Sequence, residues 1–287
     1  PLLAGLLAES GAHDEARAVA NEALERWSGN SQTASMVAVA FMALGDRQAA
    51  QNALYHAIDI DPANLGAVTI MSQMLIEDGR TDEAEAQLRS CLALRPRESE
   101  LWKRLVDLLI AVRDDRESAL REMKRAVELN PDNVQLVLKL GVLLLEGRQL
   151  AEAEQILRRV VIELGADAGL ANLMFVLGLQ RKFAEAREVL GARLTDTASA
   201  DVHIAAAALD SVEGNGEQCL AHLRRAQELA PQRGDITQCI IVSCAKAGDL
   251  AGARDALAFF LTRHGSSANV IIAVVQLILK CELAPLY

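Results

Sequence analysis

Aromatic residues are scarce in this chain: five phenylalanines, two tryptophans and two tyrosines among 287 residues, or 3%. A core without them must be packed from small and medium aliphatic side chains. Apolar residues make up 51% of the sequence, enough to keep such a core continuous. Only six prolines occur, which leaves room for long helices, and four of them, Pro62, Pro96, Pro131 and Pro231, sit near regular boundaries. Positive charge is in deficit, with 29 Lys and Arg against 39 Asp and Glu and a net charge of −10. That balance argues against a nucleic-acid scaffold, whose phosphate contacts need clustered Lys and Arg, and against an anionic membrane surface. The longest apolar run, Val270 to Leu279 interrupted by Gln276, falls short of the roughly 20 residues that span a bilayer, so no membrane insertion is expected. Cysteine is sparse and odd in number: Cys91, Cys219, Cys239, Cys244 and Cys281. Most fall where a small apolar residue is wanted, so they read as reduced packing thiols and not as a disulfide framework. This favours a reducing, cytoplasmic setting, with the periplasm as the alternative. No leader is visible, but the chain opens Pro1-Leu2-Leu3 without methionine, so its first residue is not taken as a natural start.

Catalytic signatures are also missing. There is no nucleotide-binding glycine loop, no nucleophile elbow and no His-Glu-x-x-His. Cys219 and His222, one helical turn apart, with His203 on the preceding helix, are the residues with zinc-ligand chemistry. Cys219 occupies a packing position, His222 is expected to face solvent, and no fourth ligand is evident. The reading is therefore no catalytic residue, no metal and no cofactor.

What is present is a period. In residues 118–132, Ala119, Met123 and Ala126 recur at helical spacing on one face, and Pro131 follows where the helix would end. The anchor alanine, or a small stand-in, returns at Ala16, Ala50, Ala84, Ala119, Ala153, Ala186, Cys219 and Ala253, at successive differences of 34, 34, 35, 34, 33, 33 and 34. A period this steady means one supersecondary unit copied in tandem. Each copy reads as two antiparallel helices, for example about Gln32 to Leu44 and about Arg47 to Ile60. Glycine marks the turn between them at Gly11, Gly45, Gly79, Gly214 and Gly248, with Gly147 one residue early, because glycine takes the left-handed conformation that ends a helix at little cost. Acidic residues open second helices at Asp14-Glu15, Asp82-Glu83 and Glu152, where they meet the positive end of the helix dipole. The prolines named above close units, with Gly165 and Gly265 as substitutes.

The pattern resembles the tetratricopeptide repeat, whose units carry small residues at their eighth, twentieth and twenty-seventh positions. The twentieth is the anchor series. The twenty-seventh is Ala23, Ala57, Cys91, Ala126, Val160, Arg193, Ala226 and Phe260, and Leu54, Leu88, Met123, Leu157, Leu190, Leu223 and Leu257 are the large residues at the twenty-fourth. The family tryptophan survives only as Trp102, its eighth-position glycine as Gly141 and its aromatic at the eleventh as Phe41. The resemblance implies an all-α, right-handed superhelical solenoid of about eight repeats. Their expected bounds are 1–30 (partial), 31–64, 65–98, 99–133, 134–166, 167–199, 200–233 and 234–267, with an unpaired terminal helix in 268–287, all forming one domain, 1–287, of a longer chain. Local bends are expected at the extra residue near Arg113-Asp114-Asp115 and at Arg193. The segment 268–281 is apolar nearly all round, so it is expected to meet further repeats, a partner or a second copy.

In that family the first helices line the concave, ligand-holding groove. By its register the groove would present Gln32, Ser35, Val39 and Met42; Thr69, Gln73 and Ile76; Lys103, Asp107 and Ile110; then Leu138, Val142, Leu145, Ala171, Phe175, Ile204 and Ala208. The residues chosen as the peptide site are Gln73, Lys103, Asp107, Leu138, Val142, Phe175, Ile204 and Ala208, polar at first and apolar afterwards. The expected function is a non-catalytic scaffold that binds a helical or extended apolar peptide of a protein partner. The alternatives are a regulatory or substrate-docking arm of a larger enzyme, such as a glycosyltransferase, and a periplasmic scaffold for polysaccharide export. Of the residues that hold partner carboxylates in some relatives only Lys103 has a counterpart here, and of the asparagine ladder of the sugar-transferase members only Asn172.

Overall fold

The computed structural model describes residues 1–195 and 197–264. Every regular element among them is helical, and the chain divides into two compact units, Pro1–Leu136 and Val137–Tyr287. The first unit holds α1 (Leu2–Glu9), α2 (His13–Arg26), α3 (Ser31–Ala43), α4 (Arg47–Ile60), α5 (Leu65–Glu77), α6 (Thr81–Leu94), α7 (Ser99–Ala111) and α8 (Arg116–Leu129). Helix α9 (Val134–Glu146) begins at its end. The second unit continues with α10 (Leu150–Arg158), α11 (Leu170–Leu179), α12 (Phe183–Gly191), α13 (Ala200–Glu213), α14 (Gly216–Leu229), α15 (Gly234–Lys246) and α16 (Leu250–His264). Within each unit, helices adjacent in sequence pack against one another, from α1 on α2 to α7 on α8 and from α10 on α11 to α15 on α16. The last partial repeat, the apolar segment 268–281, Gly265 and Cys281 lie outside the described residues.

The period is set by backbone chemistry at the turns. Left-handed residues occur at Gly11, Gly45, Gly79, Asp114, Arg148, Arg181, Gly214 and Gly248, with φ between 52° and 86°. Each lies five residues before its anchor (16 − 11, 50 − 45, and so on). Three of the eight are not glycine. At the fifth turn Arg148, and not the neighbouring Gly147, takes the left-handed conformation. Asn30, Asp46, Asn64 and Asp115 cap the following helices by accepting from the backbone N–H three residues on, which satisfies donors that a helix start would otherwise leave open.

The anchors do what their size requires. Ala16, Ala50, Ala84, Ala119, Ala153 and Ala186 are fully buried, as are Leu54, Leu88, Met123 and Leu157 at the twenty-fourth position. The irregular repeats have local causes. Val160 stands at a small-residue position, and a side chain on Gly169 would lie 2.7 Å from its Cγ1. Gly169 leaves room for Val160, which lies in a π-helical turn at Arg159–Glu163, and a 3-10 turn, Asp167–Gly169, follows. Arg193, at another small position, turns its guanidinium to donate to Val161 O at 3.0 Å and Asp167 Oδ1 at 3.1 Å.

Candidate binding surface

In α3, α5, α7 and α11 the ninth position of the repeat is exposed between two buried neighbours. In α3, Val39 is 51% exposed between Ala38 and Ala40, which are at most 1% exposed; in α11, Phe175 is 40% exposed between two fully buried neighbours, Met174 and Val176. Those neighbours fill the interface with adjacent helices, and the ninth position is left facing out. Gln73 and Asp107 on α5 and α7 are exposed at the same position, and Val142 and Ala208 on α9 and α13 are half-buried. Leu138 and Ile204, four residues earlier, are half-buried, so each divides its surface between packing and solvent.

One expected groove residue belongs to the interior. Ser35 is 5% exposed. Its hydroxyl donates to Ser31 O and accepts from Asn64 Nδ2 at 2.9 Å, while Asn64 Oδ1 caps α5. A serine at this position serves the junction between two repeats and not a ligand. Thr69 is half-buried, and its hydroxyl oxygen is buried without a hydrogen-bond partner.

In the first unit, Gln73, Lys103 and Asp107 come together around a recess of about 400 Å³ that also includes Glu100, Arg104 and Ile76. Its charges are largely engaged. Lys103 Nζ lies 2.7 Å from Glu100 Oε2 and donates to Gln135 at 3.4 Å, and Arg104 Nε lies 3.2 Å from Glu100 Oε1. The hydrogen bond from Lys103 holds the Glu100 carboxyl below the usual carboxylate range. Gln73 donates to Glu77 Oε1 at 3.0 Å.

In the second unit, Ile204 and Ala208 line a recess of about 340 Å³ with Ala207, Val242, Cys239 and Leu223. Leu223 and Cys219 form its floor, 3% and 4% exposed. Gln238, Ser211 and Ser243 edge it, and Asp235 and Lys246 lie along α15. The expected register stopped at Ala208; carried one helix further, it reaches Gln238 and Val242 at the fifth and ninth positions. Glu100 and Arg104 were also missed, although Glu100 stands three and four residues before Lys103 and Arg104 on one helix, the spacing at which side chains pair.

His222 does not face open solvent as expected. It is half-buried, its Nδ1 lies 3.1 Å from Nδ1 of His203, and its Nε2 is 3.9 Å from Asp210 Oδ2. Cys219 Sγ pairs with Ser243 Oγ at 3.8 Å. Among the described residues no group of three or more His, Cys, Asp or Glu is placed to hold a metal, and no helix is long and apolar enough to cross a membrane. Cys91, Cys219 and Cys244 are buried free thiols, and Cys239 is exposed.

A family model described as Tetratricopeptide repeat matches residues 41–109 and 113–175. No curated protein sequence matches the chain. Among solved structures, a tetratricopeptide repeat protein from Parabacteroides merdae superposes with a TM-score of 0.59 at 14% identity, covering 87% of this chain and 98% of that one. Yeast Tom70 gives 0.56 at 13% identity over 94% of this chain and 59% of its own length. PilW, described as a widely conserved type IV pilus biogenesis factor, gives 0.50 at 15% identity over 85% and 98%. At these identities the likeness is one of fold.

Proposed function

We propose, from the premise that this chain is an array of tetratricopeptide repeats, that it is a non-catalytic scaffold holding an apolar peptide segment of a protein partner on the outward face of its odd-numbered helices. The observation that carries the reading is the ninth-position stripe. Val39 and Phe175 stay in water on helices whose neighbouring residues are fully packed. Single exposed apolar residues are ordinary, but a stripe repeated in register is a surface with a purpose. Within the first unit, Gln73 and Asp107 at the ninth position and Lys103 at the fifth would select a polar stretch of partner. Within the second unit, Val142, Phe175 and Ala208 at the ninth position and Leu138 and Ile204 at the fifth would supply affinity by leaving water.

The test is Phe175→Ala combined with Val142→Ser. A buried aromatic anchor carries a disproportionate share of affinity, so the double variant should bind a partner identified by cross-linked pull-down about 2 kcal/mol more weakly, roughly thirty-fold. Titration calorimetry reads the affinity and thermal melting reads the fold. A variant that melts like the parent and binds like it removes this surface from the function.

A further inference from the structure

We infer that the recess lined by α13 and α15 takes one face of a short amphipathic helix of the partner, with a basic side chain at the Asp235 end and an acidic one at the Lys246 end. This deepens the scaffold reading and rests on it. Ile204 and Ala208 on α13, and Gln238 and Val242 on α15, are each spaced by four residues, so each pair forms a ridge along its helix. Between the ridges lies an apolar floor, Leu223 and Cys219. A groove between two helix ridges receives the ridge of a third helix. An extended peptide would bring unpaired backbone N–H and C=O groups onto this floor, and between the charged ends Asp235 and Lys246 the lining side chains with oxygen or nitrogen atoms to answer them are Ser211, Gln238 and Ser243. A helix satisfies its own backbone bonds and presents only side chains.

Charge sets the direction. Near the start of α15, two carboxylates share one guanidinium: Arg233 binds Asp201, and its Nη2 lies 2.6 Å from Asp235 Oδ2. That end carries one negative charge in excess. At the other end Lys246 is exposed and makes no ion pair among the described residues. The two ends are eleven residues apart (246 − 235) on one helix, about 16 Å at 1.5 Å per residue, or three helical turns. A partner helix with Lys or Arg at one end of an apolar stripe and Asp or Glu three turns away matches both ends.

Three synthetic helical peptides with the same leucine face test this, one with Lys and Glu about 16 Å apart, one with Lys at both places and one with Glu at both. Fluorescence anisotropy against the whole chain should show the Lys/Glu peptide binding about fivefold more tightly than either control, with the gap closing at high salt. Lys246→Glu should make the Lys/Lys peptide the tightest of the three. Ala208→Trp, which fills the recess, should abolish binding of all three while circular dichroism stays unchanged. Equal affinity of the three peptides overturns the charge assignment. Binding that survives Ala208→Trp overturns the location. Absence of binding by any peptide overturns the inference alone, because the scaffold reading is decided separately by Phe175 and Val142 against the chain's own partner.

Discussion

The recess around Gln73, Lys103 and Asp107 and the recess around Ile204 and Ala208 are cut from equivalent positions of equivalent helices, yet they offer a ligand opposite terms. The first is lined by Glu100, Lys103 and Arg104 in mutual contact. A partner entering it must compete with the Lys103–Glu100 pair that is already made, which leaves little net gain from that charge, although Arg104 Nε is buried without a hydrogen-bond partner. The second is walled by Ile204, Ala208, Val242 and Cys239, whose apolar surface is still partly in water and would leave it on binding a ligand. The repeat decides where a recess lies; the residues at the fifth and ninth positions decide whether it contributes affinity or selection.

The largest way to break this comparison is to disturb the frame beneath both recesses. Ala84 in the first unit and Ala153 in the second are fully buried anchors. Ala84→Leu or Ala153→Leu should each cost about 1–3 kcal/mol by overpacking, seen as a lower denaturant midpoint. An unchanged midpoint in both would mean that helix crossings do not depend on these positions. The second way sets one recess against the other. Lys103→Ala with Asp107→Ala should weaken partner binding by under about 1 kcal/mol, against about 2 kcal/mol for Phe175→Ala with Val142→Ser. Calorimetry that ranks the pairs in reverse would move the affinity to the first unit.

A third test uses acid. Burial, and then the neighbouring His222 and Arg225, hold the His203 imidazole below the ordinary histidine range. The unfolded chain therefore takes up the proton first as pH falls. The native state keeps its full stability above the ordinary histidine range and loses it as pH drops through that range towards the folded value. Between about pH 7.5 and about pH 5.5 the parent should lose somewhat more stability than His203→Gln, by under about 1 kcal/mol, in melts at matched ionic strength. Parallel losses would show that the histidine pair does not couple to folding. The smallest effect belongs to the first unit: Thr69→Val removes a buried hydroxyl without a partner and should be neutral or stabilising by up to about 1 kcal/mol, so a clear loss of stability would reveal a bond at that oxygen.

The helix pairs, their turns and their anchors were legible because each rests on a local rule with a fixed offset. Five of the eight left-handed turns carry the glycine that such a φ favours. Asp114, Arg148 and Arg181 hid the other three, because a non-glycine residue can adopt this conformation for about 1 kcal/mol once the flanking helices hold it there. The π-helical turn at Arg159–Glu163 had no counterpart in the expected helix pattern. The contacts of Arg193 were also out of reach, since its long side chain donates to Val161 O and Asp167, well before it in the chain. For the candidate site, the ninth positions followed from register, but Ser35 did not, because its burial is set by Asn64 of the next repeat. The approach of Lys103 and Arg104 to the Glu100 carboxylate was, by contrast, within reach of the sequence, since they stand three and four residues after it on one helix.

The uniform offset between turn and anchor also bears on inheritance. A gene segment duplicated or lost in whole periods of 34 residues leaves every turn, cap and anchor in register, so copies of such a block are interchangeable and the chain could lengthen or shorten by unequal crossing-over. The three turns without glycine interrupt that freedom. They fall together, at Asp114, Arg148 and Arg181, in the stretch where the spacing shifts to 35 and 33. A recombination there would pair mismatched lengths and shift an anchor by a residue, turning it off its buried face.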